Sequence, residues 1–324
     1  MDKKFDLLTA GSWAIFDHLF EMERLPSEGD TVNILSPVVD VDKIYWGGCS
    51  YNAAVTAAKL GIKVGILNVE GKDFVTRGYR KYLGSFGIDL SGVTILQKER
   101  SGHGFLFADP EGNAIVLGNL GSAWSQKNYV PNSELIQSSR ALIVAPTFDD
   151  FTLAACRIGK AFNVLVAVNG SLSTWPNYAE RFVNTIDILF CNQFEIGKLL
   201  KLLGLKDEYA LIRQGLKVLY ITQGKDGSRL LTEDQEIVIP KVDAQVFVDP
   251  TGAGDAFASA TVSGILLGYT FQIAGRLGST VASFVVEKKG CQTNLPDWKM
   301  VQERYEDFFG EKLIRTGIPI TQSK

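Results

Sequence analysis

The sequence predicts an α/β protein in which a mostly parallel sheet lies between two layers of helices. Short apolar runs alternate with helical patterns through the second half of the chain, and such alternation is typical of parallel strands joined by crossover helices. The 324 residues are 46% hydrophobic and 21% charged, which is enough apolar material for one large core. We therefore expect a single domain over residues 1–324.

The first half of the chain supplies several strands and an Ala-rich helix. The apolar run 5–10 ends at Gly11 and predicts a buried first strand. The runs 104–108 and 113–117 flank Asp109-Pro110-Glu111-Gly112, which is a strong signal for a hairpin. Further strands are expected at 29–34, 41–46, 64–69 and 93–96, and helices at 53–60 and 74–86.

The second half of the chain carries the strand–helix alternation itself. Strands are expected at 141–144, 164–168, 186–191, 218–221 and 244–248. Helices are expected at 151–161, 178–184, 194–203, 256–267, 274–286 and 297–309, with Gly290 as a helix stop. In such folds ligands bind at the carboxyl ends of the strands, so polar residues that follow a strand are candidates for a site.

Charge, cysteine and histidine content argue against several classes of function. The net charge of -3 does not suit a general nucleic-acid or membrane-surface binder. The first residues lack the apolar core of a signal peptide and no stretch suits a membrane span, so we expect a cytoplasmic protein. Four widely spaced cysteines without a C-x-x-C pair, and only two histidines, argue against zinc, a redox dithiol or a Ser-His-Asp triad.

The stretch 249–255, Asp-Pro-Thr-Gly-Ala-Gly-Asp, stands where an apolar run ends and a helix rich in small residues begins. A helix start leaves N–H groups unpaired and carries partial positive charge, and glycine allows close approach of a ligand. Gly252, Ala253 and Gly254 therefore form a candidate anion hole for a phosphate. Asp255 beside them suits a base that takes a proton from an attacking hydroxyl. The same residues also fit an ordinary helix start with an acidic cap.

Other polar patches each allow a local and a functional interpretation. Gly47 and Gly48 precede the Ala-rich helix, either as a tight turn or as backbone that meets a ligand's hydroxyls. Asn192 and Glu195 follow a strand and share one face of a helix start, either as a capping box or as a ligand-binding pair. No P-loop string G-x-x-x-x-G-K-[ST] and no strand followed by G-x-G-x-x-G occurs, which argues against P-loop NTPases and Rossmann dehydrogenases.

The string Asp-x-Thr-Gly-Ala-Gly-Asp-Ala-Phe at 249–257 resembles the C-terminal signature of the ribokinase-like (PfkB) carbohydrate kinase family. Gly47, Gly48 and Asn52 resemble its N-terminal signature, and the likeness covers nearly the whole chain. The resemblance implies a three-layer α/β/α sandwich with a small β-lid, whose strands are inserted at about 14–46 and 100–118. It also implies transfer of the ATP γ-phosphoryl group to a hydroxymethyl oxygen, with Mg²⁺ as a cofactor.

The resemblance carries site roles over residue by residue. Asp255 becomes the general base, and the N–H groups of Gly252, Ala253 and Gly254 stabilise the transferring phosphoryl group. The acceptor is expected at Asp17, Gly47, Gly48 and Asn52, and ATP at Asn192, Thr222, Gly224, Gly227, Gly252 and Gly254. Phe105 is expected either as an apolar wall for the acceptor or as a core residue. Mg²⁺ is expected near Glu195, through water, and a monovalent cation such as K⁺ at Asp249, Thr251, Val285, Lys288, Gly290 and Asn294.

The sequence is compatible with several identities of the acceptor. A sugar such as ribose, fructose, a related ketose or a sugar acid is the first expectation, and a nucleoside is the alternative. Cys49 stands where ribokinases commonly have a lysine, which sets this chain apart from ribokinase proper. A non-catalytic sugar- or nucleotide-binding protein on the same fold is the second alternative. Members of the family commonly form homodimers through the lid strands, which is the one protein partner that the resemblance implies.

Overall fold

The computed structural model describes residues 3–35, 43–110 and 114–314. Its strands are β1 (Phe5–Ala10), β2 (Ala14–Glu21), β3 (Tyr45–Trp46), β4 (Val64–Gly71), β5 (Asp89–Leu96), β6 (Ser101–Ala108), β7 (Ala114–Gly121), β8 (Ser139–Val144), β9 (Leu165–Asn169), β10 (Ile188–Asn192), β11 (Val218–Thr222), β12 (Ser228–Leu231) and β13 (Glu236–Ile239). Its α-helices are α1 (Cys49–Lys59), α2 (Asp73–Thr76), α3 (Tyr79–Gly84), α4 (Ser133–Gln137), α5 (Asp150–Ala161), α6 (Pro176–Val183), α7 (Gln193–Leu203), α8 (Tyr209–Arg213), α9 (Ala253–Leu266), α10 (Phe271–Val285) and α11 (Trp298–Phe309). Within these ranges no helix is both long enough and apolar enough to span a bilayer.

The main sheet has the strand order β13-β12-β11-β10-β9-β8-β1-β4-β5. Its strands run parallel from β11 to β5, and β12 and β13 add an antiparallel edge. Helices lie in each connection between parallel strands, as is usual for the crossovers that parallel pairing needs. The mostly parallel α/β sheet predicted from the alternating pattern is therefore confirmed, although the sequence pattern did not predict β12 and β13.

Both faces of the main sheet are buried, which gives three layers. Leu7 and Leu8 are adjacent on β1, and each is fully buried, but they belong to different apolar clusters. Leu7 shares its cluster with Ala258 of α9, and Leu8 shares its cluster with Phe151 of α5. Since neighbouring side chains of a strand point to opposite faces, helices cover the sheet on both sides.

A second, four-stranded sheet has the order β3-β2-β6-β7, and we call it the lid sheet. Strands β2 and β6 pair in parallel, with Asp17 opposite Gly104, and β6 pairs antiparallel with β7, with Gly104 opposite Gly118. The strand expected at 29–34 does not form, because only Ile34 makes a bridge, to Met22. The expected strand residues 41–42, residues 111–112 of the expected hairpin turn 109–112 and the expected strand residue 113 lie outside the described residues.

Three further expectations differ from the structure. The helix expected at 74–86 is split into α2 and α3, because Gly78 between them has φ +90°. The strand expected at 244–248 is absent. The Val248 N–H donates to the Val286 carbonyl after α10 at 2.7 Å, and Phe247 is 63% exposed. The edge of the sheet is taken by β13 instead. Helix α10 ends at Val285, ahead of the helix stop expected at Gly290.

Candidate active site

Helix α9 begins at a glycine that its surroundings require. Gly252 has φ +83°, a conformation that side chains other than glycine rarely adopt. A Cβ at this position would also lie 2.7 Å from the Cβ of Cys291. The Ala253 N–H already donates to the Pro250 carbonyl at 3.2 Å. Gly254 follows in the first turn, so the partial positive charge of this helix end faces the space in front of Asp255.

Asp255 is buried in the first turn of α9 and is held by amide donors from two other elements. The Asn52 Nδ2 donates to Oδ2 and the Asn169 Nδ2 donates to Oδ1, each at 2.8 Å. Burial raises the pKa of Asp255 above its usual range, and hydrogen bonds from Asn52, Cys49 and Asn169 oppose that rise in pKa. A fixed carboxylate with a raised pKa is a stronger base than a solvated one, which suits proton abstraction.

Asn52 is itself held by a buried chain of hydrogen bonds. Its Oδ1 accepts from the Gln292 Nε2 at 2.8 Å, and the same Nε2 donates to the Tyr79 hydroxyl at 2.7 Å. That hydroxyl donates to the Gly47 carbonyl at 2.7 Å. These hydrogen bonds thus connect Asp255 to the glycine turn before α1. Sequence reasoning did not single out Asn169, Tyr79 or Gln292; only Asn169, at the end of β9, carried the signal of a polar residue after a strand.

Asp17 lies on β2 in a niche lined by glycines. A Cβ at Gly47 would come within 2.6 Å of the Asp17 Cγ, and a Cβ at Gly104 within 2.6 Å of its Oδ1. The Cys291 Sγ donates weakly to Oδ2 at 3.8 Å. Burial raises the pKa of Asp17 to about 7, and the Asp255 carboxylate contributes to this rise. The niche presents a buried carboxyl group that can pair with ligand hydroxyls.

A cavity of about 450 Å³ lies in front of α9, within the usual range for small-molecule sites. It joins one side that holds Trp13 and Cys49 to another that holds Asn192 and Thr222, with Asp255 between them. Seven residues with expected catalytic, nucleotide or magnesium contacts lie at or next to this cavity. Gly252, Gly254, Asp255, Asn192, Glu195 and Thr222 line the cavity, and Ala253 lies between two of these residues in the chain.

The Asn192 and Glu195 pair forms a capping box and also lines the cavity. The Asn192 Oδ1 accepts from the N–H groups of Phe194 and Glu195 at 2.9 Å, and the Glu195 Oε2 accepts from the Asn192 N–H at 2.8 Å. Burial raises the pKa of Glu195, and the nearby Asp255 carboxylate adds to the rise. The local interpretation of this pair therefore holds, and the position facing the cavity is compatible with the functional one.

Gly224 and Gly227 shape the turn after β11. Both have positive φ, +59° and +82°, and a Cβ at Gly227 would lie 2.9 Å from the Lys241 nitrogen. Thr222 precedes them, and its hydroxyl donates to the Cys191 carbonyl at 3.5 Å. Of these three residues only Thr222 is part of the cavity lining among the residues described.

Asp249 fastens the loop before α9 to the turn after α10. Its Oδ1 accepts from the Thr251 N–H and its Oδ2 from the Gly290 N–H, each at 2.9 Å. The expected cation-site residues Val285 and Lys288 precede Gly290 in the chain, and the Lys288 N–H donates to the Val285 carbonyl at 3.5 Å. The side chain of the last expected residue, Asn294, donates to the Phe284 carbonyl at 2.7 Å. In the described ranges no three His, Cys, Asp or Glu side chains converge on one metal position.

The structure places Phe105 on the other face of the lid sheet from Asp17. Its ring stacks on His18 with a centroid distance of 5.0 Å, whereas Gly104, beside it in β6, faces the Asp17 carboxylate. Successive side chains of a strand point to opposite faces. Phe105 therefore does not lie with the other expected acceptor residues. Gly48, by contrast, caps the N-terminus of α1 with φ +88°, directly after Gly47.

Comparisons with known proteins agree with this geometry. A nucleoside kinase of Methanocaldococcus jannaschii is 32% identical over 315 residues, which cover 94% of this chain and 99% of that protein. Its crystal structure superposes with a TM-score of 0.83 at 30% identity, covering 94% and 99% of the two chains. A ribokinase of Haemophilus influenzae is 26% identical, covering 86% of this chain and 92% of its own length.

The fold is also found in more distant kinases. The complex of Burkholderia thailandensis nucleoside kinase with ADP-inosine has a TM-score of 0.84 at 23% identity, covering 98% of this chain and 100% of that one. The family model for pfkB family carbohydrate kinases matches residues 29–298, which include Asn52, Glu195 and Asp255. The chain therefore belongs to the pfkB family of carbohydrate kinases, with a ribokinase-like α/β fold.

Proposed function

We propose that this kinase transfers the γ-phosphoryl group of ATP to the hydroxymethyl oxygen of a nucleoside. The observation that carries the proposal is the position of Asp255. Its carboxylate is fixed by two amide donors at the N-terminus of α9, in a cavity that also contains Asn192 and Glu195. A base next to a helix N-terminus suits attack of a hydroxyl on a phosphoryl group.

In the proposed mechanism, Asp255 accepts the proton of the acceptor hydroxyl as that oxygen attacks the γ-phosphorus. The bond between this phosphorus and the β–γ bridging oxygen breaks, and ADP leaves. The N-terminus of α9, at Gly252 and Gly254, stabilises the negative charge of the transferring group. The Asp17 carboxyl and the backbone at Gly47 hold the acceptor's other hydroxyls, which orients the attacking oxygen. Proton removal and phosphoryl transfer thus occur at the same oxygen.

Glu195 fits a role in holding Mg²⁺ through water. It is a partly buried carboxylate of the cavity lining, which is the donor type that this hard cation prefers. When bound with ATP, the ion neutralises phosphate charge. For the monovalent cation we propose backbone carbonyls around Asp249 as ligands. Faster turnover in potassium than in sodium or choline buffer would support that site, and equal rates in all three buffers would argue against it.

The walls of the cavity favour a nucleoside over a free sugar. Trp13 lines the cavity beside Cys49, and its indole packs on the lid, with Cζ2 3.2 Å from where a Cβ of Gly118 would be. An aromatic face and an uncharged thiol suit a planar heterocycle better than a second set of hydroxyls. The nucleoside kinase relative at 32% identity supports the same choice. A free pentose is the second candidate, because Asp17 and Gly47 need only hydroxyl partners.

The second face of the lid sheet supports a homodimer. It carries a row of partly exposed rings from β2 and β6, namely His18, Phe20, His103, Phe105 and Phe107. We propose that a second copy of the chain packs on this face. Light scattering of the purified protein tests it, and a monomer at micromolar concentration would contradict it.

The decisive experiment measures ADP release with Mg-ATP against a panel of adenosine, inosine, cytidine, ribose, fructose and fructose 6-phosphate. We expect turnover with at least one nucleoside well above the rate without acceptor. Asp255→Asn should lower kcat by roughly 10²–10⁴, the range for loss of a general base, while Asp234→Asn, in the exposed turn between β12 and β13, serves as the matched control. Near-normal turnover of Asp255→Asn would refute the assignment of the base.

A further inference from the structure

We propose that Gln292 is a positioning residue that holds the catalytic base through Asn52. The inference rests on the proposed function, since it concerns the same Asp255. Gln292 follows α10 and is separated from Asn52 by 240 residues, yet its Nε2 donates to the Asn52 Oδ1 at 2.8 Å. Asn52 in turn donates to Asp255 at 2.8 Å. Both amides are more than nine-tenths buried, so water does not compete freely for these bonds.

The carboxylate of Asp255 sets which group donates in each hydrogen bond of the series that runs through Asn52 to Gln292. An ionised carboxylate only accepts, so Asn52 must present its Nδ2 to Asp255 and its Oδ1 to Gln292. Gln292 must then present its Nε2 to that oxygen. If the Gln292 amide were reversed, two carbonyl oxygens would face each other, and Asn52 would turn its own oxygen toward Asp255. The orientation of Gln292 thus decides whether the base has its donor.

The same Nε2 also serves the acceptor side of the site. It donates to the Tyr79 hydroxyl at 2.7 Å, which donates onward to the Gly47 carbonyl at 2.7 Å. One amide group therefore fixes both the base and the turn that faces the Asp17 carboxylate. This arrangement fixes the position of the attacking oxygen relative to its base. Small displacements between these two groups reduce rates strongly.

Stability of the fold does not account for Gln292. Its Oε1 is buried and has no hydrogen-bond partner among the residues that the structure describes. A buried acceptor without a donor destabilises the folded state relative to an apolar side chain of the same size. Methionine has a similar volume and no such oxygen. The substitution removes this unpaired oxygen but also takes the hydrogen-bond donor away from the Asn52 Oδ1, and these two effects oppose each other. We therefore expect Gln292→Met to fold with a stability close to that of the wild type while it loses the fixed donor for Asp255.

The test compares Gln292→Met and Gln292→Glu with the wild type, with Gln302→Met on α11 as the matched control. For Gln292→Met we expect kcat to fall roughly 10- to 100-fold, with a melting temperature within about 3 °C of the wild type. Loss of a donor raises the pKa of a carboxylate, so the acid limb of the kcat/KM profile should move to higher pH. Gln292→Glu should be more impaired, because its second oxygen repels the Asn52 Oδ1.

A measurement without turnover keeps this inference separate from the proposed function. The ¹³C signal of the Asp255 carboxyl, assigned by its loss in Asp255→Asn, reports the pKa of the base directly. We expect that pKa to be higher in Gln292→Met than in the wild type and unchanged in Gln302→Met. An unchanged Asp255 pKa in Gln292→Met would overturn the inference, whether or not any acceptor is phosphorylated. Absence of turnover in the wild type with a raised Asp255 pKa in Gln292→Met would overturn only the proposed function.

Discussion

Replacing Glu70 with glutamine should remove a pH-dependent loss of stability from this fold. Glu70 lies near the end of β4 and is fully buried. The Tyr51 hydroxyl donates to its Oε1 at 2.9 Å, but its Oε2 has no partner among the described residues. Burial raises the pKa of Glu70 from 4.5 to about 8, against the opposing effect of the nearby hydroxyl groups of Ser101, Tyr51 and Ser12. The folded protein therefore keeps a proton on Glu70 at neutral pH.

The sign and the size of the effect follow from proton linkage. Above about pH 4.5 the unfolded chain loses this proton, whereas the folded protein keeps it until about pH 8. The unfolded state then binds fewer protons, so the free energy of unfolding falls as pH rises through this window. At 1.36 kcal/mol per pH unit, the fall between about pH 5 and pH 8 amounts to about 3–4 kcal/mol. Glutamine does not titrate and lacks this fall.

Urea unfolding of both proteins at several pH values measures the effect. Other groups titrate equally in wild type and variant, so the difference in unfolding free energy isolates Glu70. We expect the variant's advantage to grow by about 3–4 kcal/mol from about pH 5 to pH 8. Glu233→Gln, at an exposed position, should show a constant difference. A difference for Glu70→Gln that is equally constant over this range would refute the reasoning.

Three further substitutions test the site itself. Gly47→Ala places a Cβ 2.6 Å from the Asp17 Cγ, so steady-state kinetics should show KM for the acceptor raised roughly tenfold or more and KM for ATP little changed. Asn169→Leu removes the donor to the Asp255 Oδ1, and the acid limb of the kcat/KM profile should move to higher pH. Trp13→Leu should raise KM for a nucleoside roughly 2- to 10-fold, the worth of an aromatic contact, and leave KM for ribose unchanged; equal effects on both would contradict the stacking role.

The fold could be predicted for the strands of the main sheet that are buried on both faces, because their sequences are continuous apolar runs. Apolar runs such as 141–144 alternate with helices, and only a covered parallel sheet accommodates them. The segment 244–248 misled the prediction because it is apolar without being buried in the sheet. Phe247 is 63% exposed, and the Val248 N–H finds the Val286 carbonyl. An apolar segment tends to pair as a strand, but whether a sheet edge is free to receive it depends on the other strands.

The candidate site was predictable only as far as it is local. The sequence around Asp255 predicts a helix start with a carboxylate in its first turn, and the structure has that helix start. The partners of Asp255 come from Asn52, 203 residues away, and from Asn169, 86 residues away. No spacing rule connects such positions. Phe105 shows the reverse case, because its position in β6 was clear but the face it occupies depends on strand register.

The sequence left open whether Asn192 and Glu195 cap a helix or bind a ligand, and the position of the helix starts makes the two roles compatible. In a parallel α/β sheet each helix that follows a strand starts at the carboxyl edge, which is also where ligands bind. Helix α7 begins with a complete capping box, and helix α9 has Gly252 as its N-cap residue. Both helix starts line the same cavity. A residue that caps such a helix is therefore held rigidly at the site by the bond that makes it a cap. The same side-chain position is then compatible with both capping and ligand binding. A capping box at this edge therefore does not weaken the functional interpretation.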